Sequence, residues 1–171
     1  NDARSRCDQH NIRIISVEKN GSTAFAVYGY MNRGAHEGEV GVDIYYYDIE
    51  KNVVQEKAFI PSTKSFAIAE EELGKMVYYN QDQNLLYILA GGKFYKIDLT
   101  KDEQTVLAKN LEEGQYTVSA DGHLIAYQTS GTINTAQEIK VLNLKTDEEN
   151  AVAAKSGEAI RPLGFIGSDF V

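Results

Sequence analysis

The 171-residue sequence contains no tryptophan, one cysteine and two prolines, and each scarcity narrows what the chain can be. A single thiol, Cys7, allows no internal disulfide and no cysteine-based zinc site. The two prolines, Pro61 and Pro162, lie between apolar runs. No apolar run approaches the ~18 residues that a membrane-spanning helix needs. We therefore expect no membrane insertion within this chain.

Positive charge is also scarce. The chain carries 17 Lys and Arg against 25 Asp and Glu, which gives a formal net charge of −8. A phosphate backbone would be repelled by this charge, and no stripe of Lys and Arg offsets the repulsion. The composition therefore excludes nucleic acid as a partner.

Motifs that carry chemistry are missing as well. The Gly-x-Ser-x-Gly elbow, the phosphate-binding Gly-Lys-Ser/Thr loop and the dinucleotide fingerprint are all absent. The histidines are His10, His36 and His123, and none has a spaced Ser or Cys elbow beside it. We predict no catalytic residue, no cofactor, no metal site and no enzymatic activity in this chain.

Tyrosine, with 11 copies, and a repeated hairpin pattern indicate β-structure. An apolar run, a turn containing Asp, Asn or Gly, and a second apolar run recur at residues 14–28, 76–89 and 116–127. The turns Asn20-Gly21 and Asp121-Gly122 are typical of hairpins, because Gly adopts positive φ without steric cost. Each copy therefore predicts two antiparallel strands.

A second pattern follows each hairpin. It is a strand that ends in aliphatic–Asp/Asn–aliphatic and then a polar turn, anchored at Asp48, Asp98 and Asn143. A short apolar run closes each unit, so each unit has four strands. The anchors lie 50 and 45 residues apart, near the ~40–50-residue period of propeller blades. We expect the Asp and Asn side chains to cap these turns.

These patterns predict an all-β fold of antiparallel four-stranded blades, a partial β-propeller, with a β-sandwich as the alternative. Residues 1–171 form one propeller-like segment, with blades at residues 12–60, 76–108 and 116–154 and the start of a fourth at 160–171. Residues 66–73 fit either a short helical turn or a solvated connector, and we favour the connector.

The stretch at residues 118–127 resembles the TolB-type propeller repeat, which has a strand, Ser-Pro-Asp-Gly, and a strand that ends in an aromatic residue. Here Ala120 replaces the proline, and the second unit has Asp82-Gln83-Asn84 without the glycine. The resemblance implies a bacterial β-propeller repeat protein of the TolB or WD-repeat type, and it implies no activity. In such propellers the loops between second and third strands share a rim where ligands often bind.

The longest such loop, residues 29–41, is the candidate contact site. We select Tyr30, Arg33, His36, Glu37 and Glu39 as binding residues for a protein or a glycan. Two alternatives stay open. One is a metal site with Asp43 as a further ligand, and the other is a solvated hairpin extension.

The favoured function is a non-catalytic recognition or sensory module of a larger bacterial protein, outside the cytoplasm or in the cell envelope. A cytoplasmic location stays open. The alternative is the propeller portion of an enzyme, a hydrolase, with catalytic residues outside this chain. Both ends of the sequence look cut, at Asn1 and in the apolar run at 164–171. We therefore expect open sheet edges and self-association through them.

Overall fold

In the computed structural model, which describes residues 10–171, the chain alternates short strands with tight turns. The predicted all-β, antiparallel fold class is confirmed, while Cys7 lies outside the described residues. The first elements are β1 (His10–Val17), β2 (Thr23–Tyr30), β3 (Val40–Asp48), β4 (Val53–Pro61), α1 (Phe66–Lys75), β5 (Val77–Asn80), β6 (Leu85–Ala90) and β7 (Lys93–Asp98). The remaining strands are β8 (Glu103–Ala108), β9 (Tyr116–Val118), β10 (Leu124–Gln128), β11 (Glu138–Asn143), β12 (Glu148–Ala153), β13 (Phe165–Ile166) and β14 (Asp169–Phe170).

The strands form three four-stranded meanders and a terminal hairpin. Their orders are β1-β2-β3-β4, β5-β6-β7-β8, β9-β10-β11-β12 and β13-β14, so neighbours in the sheet are also neighbours in sequence. This is the connectivity of a propeller blade. The chain divides into two compact units. One holds the first sheet, α1, β5, β6 and residues 97–104, and the other holds residues 92–96 and 105–171.

A side-chain oxygen caps the turn after the third strand of each four-stranded sheet. The oxygens of Asp48, Asp98 and Asn143 each accept hydrogen bonds from the backbone N–H groups two and three residues further on, at 2.9–3.3 Å. The residue four positions after each cap has a positive φ of 52–61°, which Asn and Asp tolerate better than other side chains. The predicted capping role of these residues is confirmed.

One face of the first sheet forms the core of the first unit. Cross-strand pairing aligns Ala26 with Ile44 and Ile44 with Ala58. The side chains on this face have at most 7% exposure; they are Ala24, Ala26, Tyr28, Val42, Ile44, Ala58 and Ile60. All six residues of β6 are buried in the same unit. We call this side of the first sheet its core face.

The segment that we predicted as a solvated connector is the helix α1, so that prediction was wrong. Ser65 begins the helix, because its side chain accepts a hydrogen bond from the backbone N–H of Ile68 at 3.4 Å. Ala69 and Leu73, one turn apart, are buried. The Phe66 ring stacks on Tyr28, with centroids 5.3 Å apart. Packing against the core face therefore stabilises this helix, although its glutamates indicated a solvated connector.

No helix in the described part of the chain is long and apolar enough to cross a membrane.

The second unit buries a hydrogen-bonded tyrosine. Tyr127 on β10 is fully buried and meets Phe94 edge-on, with ring centroids 5.3 Å apart. Its hydroxyl donates to a carboxylate oxygen of Glu149 at 2.9 Å, and Lys140 pairs with the other oxygen at 2.6 Å. Burial, with Glu149 beside it, raises the pKa of Tyr127. The buried phenol therefore stays neutral and has a partner.

The capped turns provide a stability test. Replacing Asn143 by alanine removes two hydrogen bonds to backbone N–H groups, and we expect the free energy of unfolding to fall by about 1–2 kcal/mol. Asn143→Asp keeps the acceptor oxygen and should retain most of the stability. Urea denaturation of the three proteins checks this. An alanine variant as stable as the wild type would contradict the capping role.

Candidate functional site

The loop between β2 and β3 is an ordered continuation of the hairpin. The backbone N–H of Met31 donates to the Glu39 carbonyl at 2.8 Å, and the N–H of Gly38 donates to the Met31 carbonyl at 2.8 Å. The Met31 side chain is buried. Residues 32–37, which we call the tip, lie between these bonded positions, and the ends of the loop are held by the backbone.

His36 fixes this tip to the fourth strand. Its Nδ1 lies 3.2 Å from a carboxylate oxygen of Glu39, and its Nε2 lies 3.0 Å from one of Glu56. The imidazole also stacks on the Phe59 ring, with centroids 3.8 Å apart and planes inclined by 11°. One ring therefore connects the loop to two residues of β4. Burial of the ring opposes protonation, but the hydrogen bonds with Glu39 and Glu56 outweigh it and raise the pKa of His36.

A β-bulge places Glu56 where His36 can reach it. On β4, Phe59 pairs with Asp43, and after a register shift Glu56 pairs with Tyr45. Without the extra residue Lys57, Glu56 would lie on the side of the sheet opposite to Phe59. The bulge therefore brings Glu56 and Phe59 to the same face, beneath the loop.

Asp43 is a buried carboxylate on that face. It is 2% exposed, and its Oδ2 accepts a hydrogen bond from the Tyr45 hydroxyl at 2.5 Å. Its Oδ1 has no hydrogen-bond partner among residues 10–171. Burial, with Glu56 adding to it, raises the pKa of Asp43 above its usual range. Burial and the bond to Asp43 also raise the pKa of Tyr45, so this phenol stays protonated and donates.

The five residues selected from the sequence fall into three groups. His36 and Glu39 are joined by a hydrogen bond. Tyr30 ends β2 and pairs with Val40. Arg33 and Glu37 are exposed at the tip and make no side-chain hydrogen bond or ion pair with the described residues. Sequence reasoning missed Glu56, Phe59 and Tyr45 as neighbours of the loop.

The metal alternative finds no support in the geometry. Both ring nitrogens of His36 face carboxylate oxygens, and Glu37 is exposed. Within residues 10–171, no group of three or more His, Cys, Asp or Glu side chains is arranged to hold a metal ion.

The same side of the first sheet carries exposed aliphatic side chains. Ile12 and Ile14 on β1 pair with Val27 and Phe25, which places them on the side that carries Asp43 and Tyr45. The exposed fractions are 59% for Ile12, 57% for Ile14, 62% for Val17 and 54% for Val54. We call this side the open face. Its apolar side chains lie on a sheet whose other face is buried.

Gly41 is required where the loop rejoins the sheet. A Cβ atom at this position would lie 2.4 Å from the Ile60 carbonyl oxygen and 2.8 Å from the Phe59 ring. Residue 41 pairs with Pro61, so β3 and β4 approach closely here. The absent side chain therefore leaves the space that Phe59 occupies under His36.

A second cluster of polar groups lies in the turn between β9 and β10. Asp121 accepts hydrogen bonds from the Ser119 hydroxyl at 2.6 Å and from the backbone N–H of His123 at 3.1 Å, and His123 Nδ1 lies 3.0 Å from its other oxygen. These bonds, led by that from Ser119, lower the pKa of Asp121 to about 2. The hydroxyl faces a carboxylate and not the imidazole, so the cluster caps a turn and prepares no nucleophile.

Comparison with known proteins shows distant similarity to solved structures. No protein-family model matches the sequence, and no curated protein matches it. Among solved structures, the chain is similar to a luciferin-regenerating enzyme, with 12% sequence identity and a TM-score of 0.41. The match covers 91% of this chain and 50% of that one. This chain therefore spans half the length of that enzyme.

Gly41→Ala tests the close approach of β3 and β4. The new methyl group must displace the Ile60 carbonyl or the Phe59 ring, so we expect the free energy of unfolding to fall by about 1–3 kcal/mol. The ring-current shift that Phe59 imposes on the His36 ring protons should shrink in the NMR spectrum. As a control, Gly164→Ala adds a methyl group in open space. An unchanged His36 spectrum in Gly41→Ala would refute this account.

Asp43 gives a prediction for acid conditions. Its folded-state pKa is raised above the ordinary value of 3.8, so the folded protein binds this proton more tightly than the unfolded chain. The contribution of Asp43 to stability is therefore greatest below pH 3.8 and falls as the pH rises through the raised value. Asp43→Asn should remove that decline, whereas the exposed Asp169→Asn should keep it. Denaturation curves from pH 3 to 7 compare the variants; the same decline in both would disprove the assignment.

Proposed function

We propose that this chain is a non-catalytic recognition module of a larger, extracytoplasmic bacterial protein of the TolB or WD-repeat propeller type. It binds a protein partner through the tip of the loop at residues 32–37 together with the open face. The observation that carries this proposal is the exposure of Ile12, Ile14, Val17 and Val54 on the sheet face to which the loop is anchored by His36. Several exposed aliphatic side chains on one face are typical of interaction sites.

The chemistry of this surface favours a protein partner over a glycan. Its most exposed large side chains are aliphatic, and they offer no hydrogen-bonding group to sugar hydroxyls. Arg33 and Glu37 at the tip supply charges of both signs at the border. An apolar centre with a polar rim is the common arrangement of protein interfaces.

The open face also selects the charge of its partner. Asp43, Glu56 and Glu39 contribute three carboxylates, and His36 contributes one positive charge when it is protonated. A partner with a Lys or Arg among apolar side chains complements this cluster, whereas an acidic surface is repelled. A second copy of the chain meeting the same face would bring like charges together.

Site-specific photo-cross-linking tests the proposal. A photoreactive residue is placed at position 14 on the open face, at position 33 on the tip, and at the exposed Lys155 of the other compact unit as the control. In an extract of the source cells, we expect positions 14 and 33 to label the same protein and position 155 to label none of it. A label that is common to all three positions, or absent from both 14 and 33, contradicts the proposal.

Loop replacement sharpens this test. Exchanging only residues 32–37 for a Gly-Ser link preserves the backbone bonds between Met31 and Glu39, so the fold should stay intact by circular dichroism. We expect the label from position 14 to be lost. Light scattering on the same samples measures self-association, and labelling of the chain by itself would identify a second copy as the occupant.

A further inference from the structure

We infer that His36 is a pH-operated latch on the contact loop, which holds the tip against β4 when its ring is protonated and weakens that hold when the proton is lost. This regulation rests on the proposed function for its effect on binding. The latch itself is a property of the free chain. The groups involved are one imidazole, two glutamates that bond to it and an aromatic ring beneath it.

The hydrogen bonds themselves require the charged ring. Nδ1 and Nε2 of His36 each face a carboxylate oxygen, at 3.2 Å from Glu39 and 3.0 Å from Glu56. An ionised carboxylate only accepts hydrogen bonds, so both nitrogens must donate. A neutral imidazole has one N–H and can satisfy only one of the two glutamates. The geometry is therefore that of an imidazolium.

The surroundings favour the same state. Asp43 on β3 adds a third carboxylate near the ring, and the Tyr45 hydroxyl donates to Asp43 and adds no charge. The Phe59 ring lies parallel to His36 at 3.8 Å, and an aromatic face attracts a cation. Burial of His36 opposes the charge, but Glu39 and Glu56 outweigh it, so the pKa of His36 is above its ordinary 6.5.

The sign of the pH effect follows from this shift. The folded state holds the proton more tightly than the unfolded chain, so the latch contributes stability below pH 6.5 and loses it as the pH rises through the raised value. After deprotonation one glutamate loses its donor, and the carboxylates of Glu39, Glu56 and Asp43 repel one another. The tip then keeps one of the two His36 bonds, the stacking on Phe59 and its backbone bonds, such as that from Glu37 N–H to the Gly34 carbonyl at 3.3 Å.

Two measurements on the full chain test the latch without a partner. NMR titration of the His36 ring should give a midpoint above that of a peptide with the sequence of residues 32–40. Hydrogen exchange of the tip amides, corrected for the intrinsic effect of pH, should accelerate about tenfold across that midpoint, which corresponds to the loss of one charged hydrogen bond.

Matched variants separate the latch from a general effect of charge. Glu56→Gln keeps an acceptor oxygen but removes its charge, so the His36 midpoint and the exchange transition should both move to lower pH. The exposed Glu158→Gln in the other compact unit should move neither. A His36 midpoint equal to that of the peptide, or tip exchange that does not follow it, overturns the latch.

Binding is measured separately. Cross-linking from position 33 should be stronger at pH 6 than at pH 8.5 in the wild type, and this difference should shrink in His36→Gln. Equal cross-linking at both pH values in the wild type would overturn the regulation and leave the proposed function standing. If no partner is labelled at either pH, the proposed function fails and the exchange data alone decide the latch.

Discussion

The register of the sheets depends on a few side-chain oxygens that each hold two backbone N–H groups. Asp48, Asp98 and Asn143 fix the point at which the third strand ends and the fourth begins. A slip of one residue would move every side chain to the opposite face. In the first sheet this register keeps the small and aliphatic residues on the core face, and it keeps Asp43 and Tyr45 together on the open face.

The charged groups of the candidate site lower the stability of the fold. Asp43 is buried, and one of its oxygens lacks a hydrogen bond within the described part of the chain. It also lies near the carboxylate of Glu56. An apolar residue at position 43 would suit the surrounding strands better, because a buried charge without a full set of partners is costly. Contact and binding sites commonly carry such costs while the rest of the fold compensates for them. Here the compensation comes from the core face and α1.

More of the fold than of the candidate site could be predicted from the sequence. Hairpin turns such as Asp121-Gly122 and the repeated Asp or Asn after a strand are local signals. Their conformation depends on adjacent residues, so it can be predicted without knowing the tertiary contacts. The helix α1 was missed because its stability comes from Leu73 and Phe66 packing on the sheet, which the adjacent glutamates concealed. Glu56 was missed because alternation places it away from Phe59, and only the bulge at Lys57 reverses this. The loop itself could be found from its length and glycines, but its contacts required the register.

The meander connectivity has a consequence for how the chain acquires its structure. Because neighbouring strands in each sheet are neighbours in sequence, every pairing closes a short loop, and short loops have a low entropic cost. Sheets of this kind assemble from sequence-local contacts, so they fold quickly for β-structure and can nucleate independently. During synthesis, the strands of each meander can therefore pair in the order in which they leave the ribosome. Duplication or deletion of the coding segment can add or remove a unit without changing the strand connectivity of the others.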